Sequence, residues 1–266
     1  MMRLAVSNIA WGAEHDDTVY RHMRWRGFAG LETAPTRLLR TKTPYAAREI
    51  GQALDIIDNL KTNYKLEPCS MQSILHGVAD NIFQGEEQRL RLIGYLDKAC
   101  AYGALTGFRN LVFGCPVNRN MSDPERDYPI SVSFFRQLGR VAAAHGTIIA
   151  VEPVSPEYNT NFLNTVEQAI VFVREVDEPA IRINLDLGAL ITSGESLALV
   201  RPCLELVNHI HISEPGLAPI CRRHLHAELA GMLVNGKYGG WVSIEMKTCE
   251  PISQVKGAID YVAGLF

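Results

Sequence analysis

The sequence predicts an α/β protein built as a single-domain (β/α)8 barrel, the TIM-barrel architecture, over residues 1–266. Short apolar runs alternate with amphipathic helical runs along the chain, as in parallel α/β proteins. Eight runs of each kind can be counted, which is the number in a closed barrel. Four of the later apolar runs also end in a carboxylate or an imidazole, at intervals close to one βα unit.

The predicted strands are short and continuously apolar, which is the pattern expected when both faces of a parallel sheet are buried. They are 3–9, 28–33, 66–73, 108–113, 147–152, 181–186, 207–212 and 241–245. An open, doubly wound sheet is the rival architecture. It requires a glycine-rich phosphate turn after an early strand. The turns after the first two strands do not follow a GxGxxG pattern, so the barrel is favoured.

The predicted helices lie between the strands and show apolar residues at helical spacing. Glycine in segments 101–104 and 145–147 predicts helix ends, and Asn161 or Asn164 is expected to cap the following helix. The least regular stretch, 114–129, is expected to be a loop on the active rim. The helices are 15–26, 43–63, 86–103, 128–145, 163–176, 195–201, 222–235 and 252–264.

Composition excludes several classes of protein. The chain has 266 residues, 47% of them hydrophobic and 21% charged, with a formal net charge of −3. This balance gives no electrostatic basis for binding nucleic acid. No apolar stretch reaches about 18 residues, so no membrane partner is expected, and the N-terminus reads as a strand rather than a signal peptide. Six scattered cysteines without a CxxC pair predict reduced thiols in a cytoplasmic protein.

Four segments carry the strongest functional signal. TIIAVE (147–152), RINLD (182–186), VNHIH (207–211) and WVSIE (241–245) end in Glu152, Asp186, His211 and Glu245. Their successive spacings are 34, 25 and 34 residues, close to the roughly 31 residues per βα unit of a 250-residue barrel. Consecutive strands would place the four side chains on one rim. Three carboxylates and one imidazole suit a divalent cation such as Mn²⁺, Mg²⁺, Co²⁺ or Zn²⁺.

Taken singly, each of these carboxylates is explained equally well as the cap of a nearby amide. Four such residues at matched strand ends favour a shared metal site.

Longer stretches resemble a known family. The segments VEP (151–153), LDLG (185–188), HIHISEP (209–215) and GWVSIEM (240–246) resemble the xylose-isomerase-like TIM barrels. Within these the chain is most similar to the sugar phosphate isomerase/epimerase group, relatives of the ketose 3-epimerases. SNIAW (7–11), GLETAPT (30–36), MQSILHG (71–77) and LVFGCPVNR (111–119) resemble segments of the same group.

The resemblance implies a carbohydrate substrate and one divalent metal ion, often Mn²⁺, held by Glu152, Asp186, His211 and Glu245. It also implies that Glu152 and Glu245 are catalytic and move a proton on opposite faces of a sugar carbon beside a carbonyl. Such a proton is too weakly acidic for a free carboxylate, and a metal that stabilises the enediolate supplies the missing driving force. Two carboxylates allow inversion, whereas one base on one face would give isomerisation.

The chain departs from the epimerase pattern at two places. Many epimerases carry a histidine three residues after the strand-six aspartate, where Ala189 stands here. They also tend to place an arginine soon after the strand-seven histidine. Here the basic residues Arg222, Arg223 and His224 come later. Substrate recognition is therefore expected to differ from that of the ketose 3-epimerases, with less effect on the metal site.

Further polar residues on the predicted rim are candidates for substrate binding. They are Glu32, Gln72, His76, Asn118, Arg119 and Lys247. A purely structural role is the alternative for these residues. Glu32 could form a salt bridge to a neighbouring barrel residue, and Arg119 could be a solvated loop residue. Glu214 is a candidate extra acid, or a carboxylate that supports the metal ligands without binding the metal. Because His209 alternates with His211, it is expected to face the helical layer, and Trp11 and Phe113 are expected to pack in the core.

Several functions remain open. The leading hypothesis is a metal-dependent isomerase or epimerase of a sugar, a sugar phosphate or a polyol ketone. A lyase or dehydratase of the inosose, dehydroshikimate or keto-C-glycoside type would use the same enediolate to expel a substituent. A nuclease would need more histidines and a basic face, and Ala189 argues against it. A non-catalytic sugar-binding role is a further alternative, and a homo-oligomer is compatible with each of these functions.

Overall fold

The computed structural model describes residues 2–266. Eight parallel strands close into a barrel in which each strand pairs with the next and the last pairs with the first. The predicted fold class is therefore confirmed. The strands are β1 (Arg3–Ser7), β2 (Gly30–Thr33), β3 (Glu67–Met71), β4 (Asn110–Phe113), β5 (Ile148–Val151), β6 (Ile181–Asp186), β7 (Val207–Ile212) and β8 (Trp241–Ile244).

Helices surround the barrel. Within residues 2–266 they are α1 (Asp16–Trp25), α2 (Pro35–Leu39), α3 (Ile50–Asn59), α4 (Glu86–Thr106), α5 (Pro124–Ala144), α6 (Val166–Val176), α7 (Leu187–Ser193), α8 (His224–Asn235) and α9 (Ser253–Ala263). The short helices α2 and α7 were not predicted. The helix predicted at 195–201 is wrong, because this region forms the 3-10 turns Leu197–Leu199 and Arg201–Leu206.

Three local predictions need correction. The stretch 114–129 is only partly irregular, because a 3-10 turn covers Pro116–Arg119 and α5 begins at Pro124. Helix α4 continues through segment 101–104 and ends before Gly107, whose φ of +92° suits glycine. The cap of α6 is Thr165, whose hydroxyl oxygen accepts a hydrogen bond from the Gln168 amide at 3.1 Å. A threonine next to the first helical residue satisfies that amide better than Asn161 or Asn164.

The two faces of the barrel differ in polarity. Apolar strand residues such as Leu31, Ile149 and Ile210 are buried in the hydrophobic core. The barrel interior instead holds small and polar side chains that contact one another across non-adjacent strands. Ser243 of β8 donates a hydrogen bond to Glu32 of β2 at 2.9 Å, although β1 lies between these strands. This polar interior leads directly up to the carboxyl-end rim, where active sites of this fold lie.

Candidate metal centre and active site

The four predicted ligands meet at the carboxyl ends of four consecutive strands. Glu152 directly follows β5, Asp186 is the last residue of β6, His211 lies near the end of β7, and Glu245 directly follows β8. One donor atom from each lies within 4.8 Å of the other three. These donor atoms are close enough together for one small cation to bind all four groups.

His211 lies at the centre of this cluster. Its Nδ1 is 3.0 Å from a carboxylate oxygen of Glu152, 3.0 Å from one of Glu245 and 3.8 Å from one of Asp186. All four side chains are largely buried. The Nδ1 atom therefore faces the space between the three carboxylates, where a shared cation would be bound.

The opposite nitrogen of His211 is held by Glu32. The two side chains are fully buried, and Nε2 of His211 hydrogen-bonds to Oε1 of Glu32 at 3.0 Å. Burial pushes the pKa of Glu32 upward, but the imidazoles of His211 and His209 hold that pKa well below its usual range. An ionised Glu32 accepts a hydrogen bond from the Nε2–H group of His211 and so orients the ring with Nδ1 toward the carboxylates.

Charge repulsion within the cluster is large. Burial and the nearby carboxylates of Glu152 and Glu245 raise the pKa of Asp186 to about 7. Burial likewise raises the pKa of Glu245. Burial disfavours the charged form of His211, yet the carboxylates of Glu245 and Glu32 hold its pKa well above the usual range. Three buried carboxylates around one imidazole are the donor set of a divalent cation, whose charge would offset this repulsion.

Secondary structure fixes the direction of Asp186. One carboxylate oxygen accepts a hydrogen bond from the Ala189 amide at 2.6 Å and so caps α7. The other accepts from the Ser213 hydroxyl at 2.5 Å. The same hydroxyl oxygen accepts the Gly188 amide proton at 2.8 Å. Asp186 is thereby held in one orientation by the amino end of α7 and the end of β7.

Hydrogen bonds to its side chain and to its backbone hold Glu152 in place. The Asn184 amide nitrogen donates to its carboxylate at 2.5 Å, and Arg119 Nη1 donates to its backbone oxygen at 2.8 Å. A Cβ atom at position 114 would overlap the Glu152 carboxylate. A side chain at position 114 would therefore displace this carboxylate from its place in the cluster.

A cavity of about 280 Å³ opens above the four ligands. Its polar side follows β3 and includes Gln72, Ser73 and His76. The loops after β5 and β7, together with the first turn of α7, contribute most of its apolar side. These apolar residues are Pro153, Val154, Ala189, Pro215 and Leu217. The carboxylates of Glu152, Asp186 and Glu245, three of the four candidate metal ligands, also line the cavity.

The predicted substrate-binding residues divide into two groups. Gln72 and His76 line the cavity. Glu32 hydrogen-bonds to His211, and Arg119 is buried and hydrogen-bonds to the backbone of Glu152. Asn118 donates hydrogen bonds to the backbone oxygens of Val78 and Asp80. Lys247 is exposed and is not among the residues that line the cavity. Burial lowers the pKa of Arg119 to about 10. The structure therefore brings two of these six side chains to the place where a substrate would lie.

The expected direction of His209 is wrong. It is fully buried, and its Nε2 lies 3.2 Å from Glu32, the residue that also contacts His211. Residues two apart on a strand share a face, so His209 and His211 both point into the barrel. Burial lowers the pKa of His209.

Three further predictions have clear outcomes in the structure. Glu214 lines the cavity, but its carboxylate accepts two hydrogen bonds from Nε of Arg223, at 2.9 and 2.8 Å, and is not part of the four-residue cluster. Trp11 and Phe113 pack in the hydrophobic core as expected.

Sequence reasoning missed Tyr158 and Leu217, which both line the cavity. Burial, followed by the nearby carboxylates of Asp186 and Glu245, raises the pKa of Tyr158, so its phenol keeps its proton near the cluster. Leu217 adopts a left-handed backbone conformation with φ of +51°. The glycine before it was a usable signal for an irregular turn at this point.

Comparisons with known proteins agree with this fold. The sequence model of a family described as xylose isomerase-like TIM barrel matches residues 22–263. D-psicose 3-epimerase from Ruminiclostridium cellulolyticum is 25% identical over 145 residues. This match covers 49% of each chain, so the chain spans about half the length of that curated relative.

Two crystal structures resemble the whole chain. The 3-keto-D-glucoside 4-epimerase of E. coli superposes with a TM-score of 0.79 at 20% identity, covering 99% of this chain and 100% of that one. D-psicose 3-epimerase of Clostridium cellulolyticum H10, solved with D-tagatose, gives a TM-score of 0.79 at 16% identity, covering 99% of each chain. Within residues 2–266, no helix combines the length and the apolar character needed to cross a membrane.

Proposed function

The chain belongs to the xylose isomerase-like TIM barrel family, and on that basis we propose that it is a divalent-metal-dependent isomerase or epimerase of a sugar ketone. One observation carries the proposal. The Nδ1 atom of His211 lies 3.0 Å from Glu152 and 3.0 Å from Glu245, which are contributed by strands separated by β6 and β7. A cation bound at this centre would be within reach of both carboxylates.

In this proposal Glu152, Asp186, His211 and Glu245 hold one divalent cation, with Mn²⁺ first among Mn²⁺, Mg²⁺, Co²⁺ and Zn²⁺. The bound ion would polarise the substrate carbonyl and so stabilise the enediolate formed when the neighbouring carbon loses its proton. Oxygen and nitrogen donors without a cysteine fit these ions.

Glu152 and Glu245 are the proposed catalytic acid and base. One carboxylate removes the proton from the carbon next to the carbonyl, and the other returns a proton to the opposite face. Burial raises the pKa of Glu245, which makes its carboxylate a stronger base than an exposed glutamate. Gln72 and His76 are the proposed contacts to sugar hydroxyls, since both line the cavity beside the ligands.

The remaining predicted substrate contacts take supporting roles in the proposal. Glu32 orients His211, and Arg119 holds the backbone of Glu152. Asn118 fixes the loop after β3 through the backbone oxygens of Val78 and Asp80. Lys247 contributes through its backbone rather than its side chain, because its amide donates to the oxygen of Leu217 at 2.9 Å.

Exchange of substrate hydrogen with solvent tests this function. The Mn²⁺-loaded protein is incubated in D2O with D-fructose, D-tagatose and 3-keto-glucosides, and deuterium at the carbon beside the carbonyl is followed by NMR. We expect incorporation, and Glu152→Gln or Glu245→Gln should slow it by at least about 100-fold. An exchange rate unchanged in both variants would refute their roles as base and acid.

Elimination is a second candidate reaction, and Tyr158 favours it. Its proton-bearing phenol lines the cavity near Asp186 and Glu245, where it could protonate a departing oxygen. Mass spectrometry of the products separates the two reactions. Loss of water or of an aglycone identifies a lyase, whereas a product of unchanged mass identifies an isomerase or epimerase.

We further propose that the protein works in the cytoplasm. Its six cysteines are free thiols, including the exposed Cys221, which suits a reducing compartment.

A further inference from the structure

We infer that the substrate is an uncharged sugar ketone bearing an apolar substituent, such as a keto-glycoside with an aromatic aglycone, and not a sugar phosphate. The inference rests on the proposed function, because it concerns what the same cavity accepts. It is drawn from the absence of lysine and arginine among the described lining residues, the chemistry of the cavity wall and the backbone of Leu217.

Among the described residues that line the cavity, the one side chain able to carry positive charge is the imidazole of His76. None of these lining residues is lysine or arginine. Arg223 is engaged by Glu214, and Arg119 is fully buried with Nη1 on the backbone oxygen of Glu152. The three carboxylates of the cluster would already neutralise the proposed divalent cation, so a phosphate placed here would gain little from that ion.

The amino end of α7 offers no substitute. Helix amino ends can bind anions through free backbone amides. Here the Gly188 amide donates to the Ser213 hydroxyl at 2.8 Å, and the Ala189 amide donates to Asp186 at 2.6 Å. These two amides already have partners within the protein.

The lining of the cavity is polar after β3, whereas in the segments after β5 to β7 apolar residues stand beside the polar side chains of Ser155, Tyr158, Thr192 and Glu214. Gln72 and His76, after β3, can exchange hydrogen bonds with sugar hydroxyls. Three other lining side chains have no group that can form such hydrogen bonds, namely Pro153 and Val154 after β5 and Leu217 after β7. A hydroxyl buried against them would lose its hydrogen bonds to water without replacement, whereas an apolar group would gain by leaving water.

Ala189 and Pro215 extend this apolar side. We call the five residues Pro153, Val154, Ala189, Pro215 and Leu217 the apolar wall. A free ketose carries hydroxyls around most of its carbon chain and would leave several against the apolar wall. A sugar whose hydroxyls meet the β3 side and whose substituent meets the apolar wall satisfies both sides.

Leu217 supplies an independent observation. Its φ of +51° lies in the left-handed region, which is unfavourable for a branched side chain and common for glycine or asparagine. The Lys247 amide holds this conformation through a hydrogen bond to the Leu217 oxygen at 2.9 Å. A leucine kept in a strained conformation while lining a cavity points to a function for its side chain.

Cavity size limits the substituent. A volume of about 280 Å³ lies near the lower end of the roughly 300–1,000 Å³ of small-molecule sites. The site therefore suits one monosaccharide with a compact substituent, such as a single aromatic ring.

Four probes test the inference with the full chain and Mn²⁺. They are phenyl 3-keto-β-D-glucoside, methyl 3-keto-β-D-glucoside, D-fructose and D-fructose 6-phosphate. Binding is measured by titration calorimetry, and deuterium incorporation is measured separately. We expect the phenyl compound to bind at least about tenfold more tightly than the methyl compound, and the phosphate more weakly than D-fructose.

A Leu217→Asn variant links the preference to the apolar wall. Asparagine tolerates the left-handed conformation, so the variant should fold. We expect its ratio of phenyl to methyl affinity to fall at least about threefold. Leu90→Asn is the matched control, since Leu90 is 56% exposed on α4 and should leave the ratio unchanged.

The two readouts separate the two proposals. Preferred binding of the phosphate, or equal affinity for the phenyl and methyl compounds, overturns the inference whether or not exchange occurs. Tight binding of the phenyl compound without deuterium incorporation from any probe supports the inference on the ligand and counts against the proposed proton transfer.

Discussion

Glu32 on β2 and His211 on β7 are joined by a hydrogen bond of 3.0 Å inside the barrel, although 179 residues separate them in the chain. This buried carboxylate fixes which nitrogen of His211 is available to the cluster above it. The orientation of His211 in the proposed metal centre therefore depends on a residue that is not itself one of the four proposed ligands.

Replacement of Glu32 should weaken metal binding. In Glu32→Gln the neutral amide no longer stabilises the proton on His211 Nε2, so the ring loses its fixed orientation. We expect Mn²⁺ affinity to fall by about 10- to 100-fold, as for other residues that support metal ligands. Titration calorimetry measures this. Glu67→Gln is the control, because Glu67 is exposed at the start of β3 and should leave affinity unchanged. Equal Mn²⁺ affinities in the two variants would show that Glu32 does not support metal binding.

Gly114 should tolerate no side chain. The Cβ of Gly114→Ala would overlap the Glu152 carboxylate and push it from the cluster. We expect deuterium incorporation to fall by at least about 100-fold, because Glu152 is a proposed proton-transfer group.

Gly94→Ala is the matched control for this prediction. Gly94 is exposed on α4, and a Cβ there meets no atom within 4 Å. This variant should keep full exchange and gain about 0.5–1 kcal/mol of stability from the helix propensity of alanine. Normal exchange in Gly114→Ala would show that Glu152 can move without loss of function.

Asp186 should give the metal-free protein a characteristic pH dependence. The pKa of Asp186 is raised from 3.8 to about 7, so its charged form destabilises the fold. At a pH between these two pKa values, the folded protein binds more protons than the unfolded protein. The free energy of unfolding therefore falls as the pH rises from the lower pKa to the higher one.

The Asp186→Asn variant isolates this effect, because its amide oxygen can still cap α7. Metal-free Asp186→Asn should be more stable than wild type at pH 8 by several degrees in Tm, and similar near pH 4. Thermal unfolding followed by circular dichroism checks this difference. A difference in Tm between the two proteins that is the same at low and at high pH would contradict a raised pKa for Asp186.

Asp127 should stabilise the start of α5. Its carboxylate accepts hydrogen bonds from the backbone amides of Ser122 at 2.8 Å and Asp123 at 3.0 Å. Asp127→Ala leaves these amides without a partner and should lower the free energy of unfolding by about 1–2 kcal/mol. Urea denaturation measures the loss. Asp58→Ala, at an exposed position of α3, should change stability little, and equal effects of the two substitutions would exclude a capping role for Asp127.

The convergence of the four proposed metal ligands could be predicted because each position depends on local sequence. A strand end is marked by where an apolar run stops, so Glu152, Asp186, His211 and Glu245 could be placed on one rim without knowing any contact. The parallel order of the strands then brings them together.

Contacts through the barrel interior could not be predicted in the same way. The partner of His211 comes from β2, and nothing near either residue names the other. A weaker signal was present in the polar pairs two residues apart, Asn184 with Asp186 and His209 with His211. Such pairs share one face of a strand, and this rule would have placed His209 correctly.

Loop geometry was the least predictable part of the site. Arg119 lies in a loop after a strand, where an exposed arginine would suit an anionic substrate. The structure turns it inward, onto the backbone of Glu152. Its direction depends on the fold of the 3-10 turn Pro116–Arg119, which strand and helix periodicity do not determine.

The hydrogen bond between the Lys247 amide and the Leu217 oxygen bears on how this protein can change over evolution. It joins the loop that carries part of the apolar wall to the chain just beyond Glu245 through backbone atoms, which any residue except proline provides at 247. Side chains at 154, 189 and 217 can therefore vary while the ligand-bearing strands keep their places. A library randomised at these positions should yield new substrate preferences on an intact metal centre.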